Sequence, residues 1–73
     1  MSKLPLLSAR ECIRALEKVG FYELHQTGSH IIMRRDDPKT TISVPNHREI
    51  RRGTLRAIIR QIGMTVEEFS ELL

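Results

Sequence analysis

Between Phe21 and Val44 three short runs of β-favouring residues follow one another, separated only by Gly28-Ser29 and then by Asp36-Asp37-Pro38-Lys39. Connections this short leave no room for a crossover, so neighbouring strands must pair antiparallel. Phe21–Thr27 is rich in aromatic and β-favouring residues with little helical period and predicts a first strand. Gly28-Ser29 is a tight turn into a second strand, His30–Arg35. The Asp and Pro of residues 36–39 have turn chemistry. Thr40–Val44, β-branched at four of five positions, predicts a third strand, with Ile42 and Val44 alternating against Thr41 and Ser43 so that one face is buried and the other wet.

Helical signals flank this meander. Ser8-Ala9-Arg10-Glu11 has the Ser-x-x-Glu form of a capping box, and Cys12, Ile13, Leu16 and Val19 follow at helical spacing. They predict a helix over Ala9–Val19, closed by Gly20, with Arg10, Arg14, Glu17 and Lys18 on its solvated side. Thr54 is the expected cap of a second helix, whose Leu55, Ile58, Ile59 and Ile62 form an apolar stripe while Arg56 and Arg60 face away. Gly63 ends it. Thr65-Val66-Glu67-Glu68 is a second capping box, opening a short terminal helix with Val66, Phe69, Leu72 and Leu73 on its apolar side. The expected fold is α+β, in the order α-β-β-β-α-α: two layers, with helices on one face of a three-stranded antiparallel sheet and the other face open.

With 73 residues and 8.5 kDa, the chain is expected to form one domain over residues 1–73, with too little core for a deep enzyme cleft. Its 40% hydrophobic and 29% charged residues are those of a folding sequence. Leu4–Leu7 is too short, and interrupted by Pro5, to be a signal core or a membrane span. The lone Cys12 has no disulfide partner and reads as a small core residue in a reducing compartment, so the expected location is cytoplasmic, with no membrane association. Charge is unevenly placed. Residues 30–60 carry eight basic and three acidic side chains, whereas residues 61–73 carry three acidic and no basic ones. An electropositive middle fits a polyanion such as nucleic acid; a solvated basic surface without a ligand has the same composition.

Cys12, His25, His30 and His47 read as lacking any close ligand pair of the C-x₂₋₄-C or H-x₃₋₅-H kind that tetrahedral zinc sites show, so no metal is expected. Nor is there a Gly-rich phosphate loop, a G-x-S-x-G elbow or an HExxH motif, and no cofactor is expected. His30 stands apart because it follows a Gly-Ser turn at the open end of a strand. A turn histidine also has a plain structural role in satisfying a backbone group. Strict alternation, however, sets His30, Ile32 and Arg34 on one strand face, so that His30 and Arg34 can lie together beside Thr41 and Ser43. Imidazole beside guanidinium is what phosphodiester cleavage requires: a proton acceptor near neutral pH and cations for the developing charge. Arg48, Arg51, Arg52 and Arg56 flank the start of the second helix, where free N–H groups and the helix dipole already favour phosphate. Their plain reading is a solubilising loop. His25 reads as structural, and His47 as a loop residue with a second acid/base role open to it.

Gly28-Ser29-His30 after Gly20-Phe21, the Val44-Pro45 exit from the third strand, the His47 loop, and above all Gly53-Thr54-Leu55-Arg56-x-Ile58-Ile59-Arg60-Gln61-x-Gly63 followed by Glu67-Glu68-Phe69 closely resemble HicA-type toxins of prokaryotic toxin–antitoxin systems. The resemblance spans about residues 8–73. It implies a fold similar to a double-stranded-RNA-binding domain, an mRNA interferase activity of a type II system, His30 as the catalytic residue, and a HicB-type antitoxin that covers the active site. The loop 48–52 is rich in arginine where the family often has lysine, which changes phosphate geometry more than charge. On this reading the chain is a metal-independent endoribonuclease. His30 takes the 2′-OH proton, and Gly28, Ser29, Arg34, Arg35, Arg48, Arg51, Arg52, Thr54 and Arg56 contact RNA. The acid for the leaving 5′-oxygen is left open between His47, a protonated His30 and water. A non-catalytic RNA-binding module of the same fold, or a protein whose basic patch meets only an acidic partner, are the competing classes.

Overall fold

Ser8 opens the first helix as its capping box requires: its Oγ accepts from the Glu11 amide at 3.1 Å, and the Glu11 carboxylate accepts from the Ser8 amide at 3.0 Å. Helix α1 runs Ala9–Glu17 and buries Ala9, Cys12, Ala15 and Leu16. It stops two residues short of the expected Val19 because the chain tightens into a turn in which Gly20, at φ +96, lets the Phe21 amide reach back to the Leu16 carbonyl. The computed structural model describes residues 4–73; residues 1–3 of the expected domain lie outside the described residues.

Strands β1 (Tyr22–Thr27), β2 (His30–Asp36) and β3 (Lys39–Pro45) form one antiparallel sheet in the order β1-β2-β3. The β2–β3 turn is shorter than the sequence implies, since Asp36 pairs with Lys39 and only Asp37-Pro38 lie between. At the other hairpin Gly28 has φ +56 and Ser29 does not share that sign, the II′ pattern that suits the twist of two paired strands. Helix α2 (Arg52–Gln61) and the short α3 (Val66–Ser70) complete the expected order.

Ile31 and Met33 of β2 and Ile42 and Val44 of β3 are buried on one face of the sheet, in a core shared with Leu16 of α1 and with Leu55, Ile58 and Ile59 of α2. Phe69 of α3 closes the far side of that core, held by the second capping box between Thr65 and Glu68. The opposite sheet face carries His30, Ile32, Arg34, Thr41 and Ser43, none of them buried. Leu4 and Leu7 also belong to the core. Leu7 bridges Ile50, which is itself buried within the otherwise polar loop after β3. With extents of 34 × 27 × 16 Å the molecule is two layers thick, so a site for a macromolecule must lie on a face. Among the described residues no helix is long and apolar enough to cross a membrane.

Candidate active site

The register fixes which side chains share the open face. Thr27 pairs with His30, His25 with Ile32 and Tyr22 with Arg34 across β1 and β2, while Pro45, Ser43 and Thr41 of β3 pair with His30, Ile32 and Arg34. Directly paired residues of antiparallel strands project to the same side. A bulge between Glu23 and His25 leaves Leu24 unpaired and turns Tyr22 onto the open face. His30 is exposed at one end of this face, beside the two-residue turn. That turn is braced from just beyond β3, where the Asn46 amide donates to the Ser29 carbonyl at 2.7 Å, and more loosely by the Gln26 side chain on the Gly28 carbonyl.

Arg34 shares the face with His30 but does not adjoin it. Four residues of strand, roughly 13 Å, separate them, and the Arg34 guanidinium turns the other way, its Nε 3.3 Å from the Asp36 carboxylate. Asp36 also accepts from the Tyr22 hydroxyl at 3.1 Å. Desolvation first, then this hydrogen bond and the charge of Asp36, hold the Tyr22 hydroxyl above its ordinary pKa. Arg35 points toward the helices, its guanidinium 4.7 Å from the Phe21 ring centroid and hydrogen-bonded to Thr40 and to the Pro38 carbonyl. His30 and Arg34 thus share a face without adjoining, contrary to the expectation that they lie together, because alternation fixes the side of a strand and not the distance along it.

Arg48, Arg51 and Arg52 follow β3 in the loop and helix start that leave the sheet beside His30, whose partner is Pro45. The loop after β3 is pinned there: the Ala9 amide donates to the His47 carbonyl at 2.9 Å, and the Ile50 amide to the Leu7 carbonyl at 2.7 Å. Arg48 is exposed between these anchors. Helix α2 begins one turn earlier than Thr54 implies. Arg51 occupies the cap position without a side-chain cap bond, and Thr54 lies inside the first turn. Packing overrides capping preference here, since Ile50 is fixed in the core and the Arg52 Nε donates to the Leu4 carbonyl at 3.0 Å. The consequence is a helix start whose first backbone N–H groups have no partner among the described residues, with no acidic residue in its first turn and Arg51, Arg52 and Arg56 exposed around it.

Comparison with known families decides what this arrangement belongs to. A family model described as the HicA toxin of bacterial toxin–antitoxin systems matches residues 9–64. The chain belongs to the HicA toxin family. Curated proteins give no match. The HicA match runs from the start of α1 through the end of α2 and so contains His30, the pinned loop and the basic helix start. It leaves out Leu4, Leu7 and α3, of which Leu4, Leu7 and Phe69 belong to the core. Membership makes the chain the toxin of a toxin–antitoxin pair, and a toxin of that kind has an antitoxin as its partner.

Two features escaped the sequence reading. His25 lies on the open face with His30; counting back by twos from the Gly28-Ser29 turn would have shown it. The two also stand at H-x₄-H spacing, so the expectation that no close ligand pair exists was mistaken; no third His, Cys, Asp or Glu joins them among the described residues. On the helix side of β1, a groove of about 380 Å³ lies between Arg10 and Arg14 of α1 and Glu23 and Gln26 of β1. It exists because the two helices pack over β3 and leave β1 uncovered, which no local pattern in the sequence encodes.

Proposed function

We propose that this toxin is a metal-independent endoribonuclease that cleaves mRNA, with His30 as general base. The observation that carries the reading is His30 itself: an exposed imidazole on a braced hairpin turn, at the edge of a sheet face that no described residue covers, in a chain of a toxin family. His30 takes the proton of a 2′-OH, which attacks the adjacent phosphate. Arg48, Arg51 and Arg52, with the N–H groups around Thr54, hold the RNA backbone at the same end of the molecule, and Arg56 extends that contact along α2. Gly28 and Ser29 bring the turn backbone against the strand. Arg34, tied to Asp36, contacts a phosphate farther along, and Arg35 supports the sheet from beneath while adding to the local positive field. A HicB-type antitoxin silences the toxin by covering the open face, and both act in the cytoplasm, where mRNA is translated.

The chemistry predicts the ends it leaves. Attack by the 2′-oxygen yields a 2′,3′-cyclic phosphate and a 5′-hydroxyl, and the reaction persists in excess EDTA. Products bearing 5′-phosphate and 3′-hydroxyl ends, or cleavage lost with EDTA and restored by magnesium or zinc, would overturn the mechanism.

A further inference from the structure

Cleavage by a 2′-oxygen needs two proton transfers, and His30 supplies one. We infer that His25 supplies the other: as an imidazolium on the neighbouring strand it is the general acid that protonates the departing 5′-oxygen. This rests on the ribonuclease reading above and adds to it a second catalytic residue.

Position is the first argument. His25 pairs with Ile32 and His30 with Thr27, so the two histidines are diagonal neighbours on one face of the β1–β2 hairpin. Diagonal neighbours in an antiparallel pair stand ~7–8 Å apart. That separation suits two groups that touch opposite sides of one phosphate, each within hydrogen-bond reach of a different oxygen. Both side chains are exposed, and no described residue lies over them.

Orientation is the second. The Thr27 hydroxyl lies 3.1 Å from His25 Nδ1, and Thr27 is the residue directly opposite His30. With Nδ1 engaged by Thr27, Nε2 is the nitrogen left to carry the transferred proton. Thr27 is thus a positioning residue for the imidazole. His47 is the weaker candidate, because its backbone is bound to the start of α1, on the helix layer, through the Ala9 amide.

Protons and bonds balance in this arrangement. Neutral His30 removes the proton from O2′ as the O2′–P bond forms. The P–O5′ bond breaks, and O5′ takes the proton from the His25 imidazolium. His30 ends protonated and His25 neutral. Proton exchange with water, or hydrolysis of the cyclic phosphate with the roles reversed, returns both to their starting forms.

The charged and titratable groups that share this face are Tyr22 on β1, Arg34 and Asp36 on β2 and Lys39 on β3, with His47, Arg48 and Glu49 in the adjoining loop. Tyr22, Arg34 and Asp36 are bound to one another at the far end of the sheet. The side chains placed on the face itself to exchange protons with the phosphate are therefore His25 and His30. A rate that needs one neutral and one protonated traces a bell-shaped pH profile.

The test uses the purified full-length toxin on a short RNA, with His25→Ala, His25→Arg and His30→Ala variants. His25→Ala is expected to lower kcat by about 10²–10⁴-fold with little change in KM, and to remove the alkaline limb of the bell. His25→Arg keeps a cation that does not yield its proton at neutral pH, and is not expected to restore the rate. An RNA with sulfur in place of the bridging 5′-oxygen at the cut site has a leaving group that needs no acid. On it His25→Ala should approach the wild-type rate while His30→Ala stays inactive. Wild-type activity in His25→Ala, full rescue by His25→Arg, or a sulfur substrate that rescues neither variant overturns the assignment of His25. If the wild type does not cleave RNA at all, the ribonuclease reading fails instead, and if His30→Ala cleaves at the wild-type rate, the assignment of His30 as the base fails.

Discussion

At the scale of single residues, the two sides of the sheet impose different fates on reactive groups. Cys12 lies fully inside the core, and burial pushes its thiol up to about 11. A buried, protonated thiol is a poor nucleophile. Thiol reagents should therefore leave the native protein unmodified and label Cys12 only as it unfolds; prompt labelling under native conditions would contradict that burial. Gly28 shows the opposite case, a residue with open space around it whose identity is set by backbone conformation. A Cβ there would meet nothing within 4 Å, yet φ +56 disfavours any L side chain. Gly28→Ala should cost about 1 kcal/mol in stability and, by loosening the turn, reduce cleavage more than the small loss of folded protein explains. The turn at Gly28, the exposure of His30 and the burial of Cys12 were legible from the sequence because each placement depends on near neighbours. Arg34 was not, since its tie to Asp36 depends on which way a long side chain swings.

At the scale of elements, local signals held wherever a cap or a turn was self-contained. Both capping boxes form, and Ser8→Ala should cost about 1 kcal/mol, or ~4–8 °C in Tm for a domain of this size. The Glu11 carboxyl is held below its ordinary pKa chiefly by accepting from the Ser8 amide. Its contribution is therefore present above the unfolded-state pKa and is lost as pH falls through the lower folded-state value. Helix α2 is where local reading failed. Thr54 looked like its cap, but the buried Ile50 and the Leu4–Arg52 contact draw the helix back to Arg52. This early start leaves Gly53 in the first turn with room for a side chain. Gly53→Ala should stabilise the protein by about 0.4–1 kcal/mol, while lowering RNA affinity if phosphate approaches the α2 start as proposed. Stability and affinity rising together would place the RNA elsewhere.

For the whole molecule, a slab 16 Å thick with a shared core and one open face makes the distribution of charge decisive. Arg48 and Arg51 lie in the loop that leaves the His30 end of β3, while Glu67 lies on α3 and Glu71 caps its C-terminal end. Replacing Arg48 and Arg51 with alanine in a His30→Ala background should flatten the dependence of log K on log salt by about two contacts, at roughly 0.7 to 0.9 each. Gln at Glu67 and Glu71 should barely change it. Equal changes from both pairs would indicate a diffuse field. Arg52 and Glu68 make poorer probes, since one holds the Leu4 carbonyl and the other completes a cap. The two-layer fold and its element order were readable from turn and strand spacing. The docking of Leu4 and Leu7 against Ile50, the bulge at Leu24 and the uncovered β1 were not, because each arises from contacts between segments far apart in the chain.

The central claim is that His30 on the open face performs RNA cleavage, and the most direct measurement is the single-turnover cleavage rate of the His30→Ala protein beside its thermal midpoint. His30 is exposed and has no role in the core, so the midpoint should stay within about 0.5 kcal/mol of wild type while cleavage disappears. Cleavage at the wild-type rate by a folded His30→Ala protein would contradict the account.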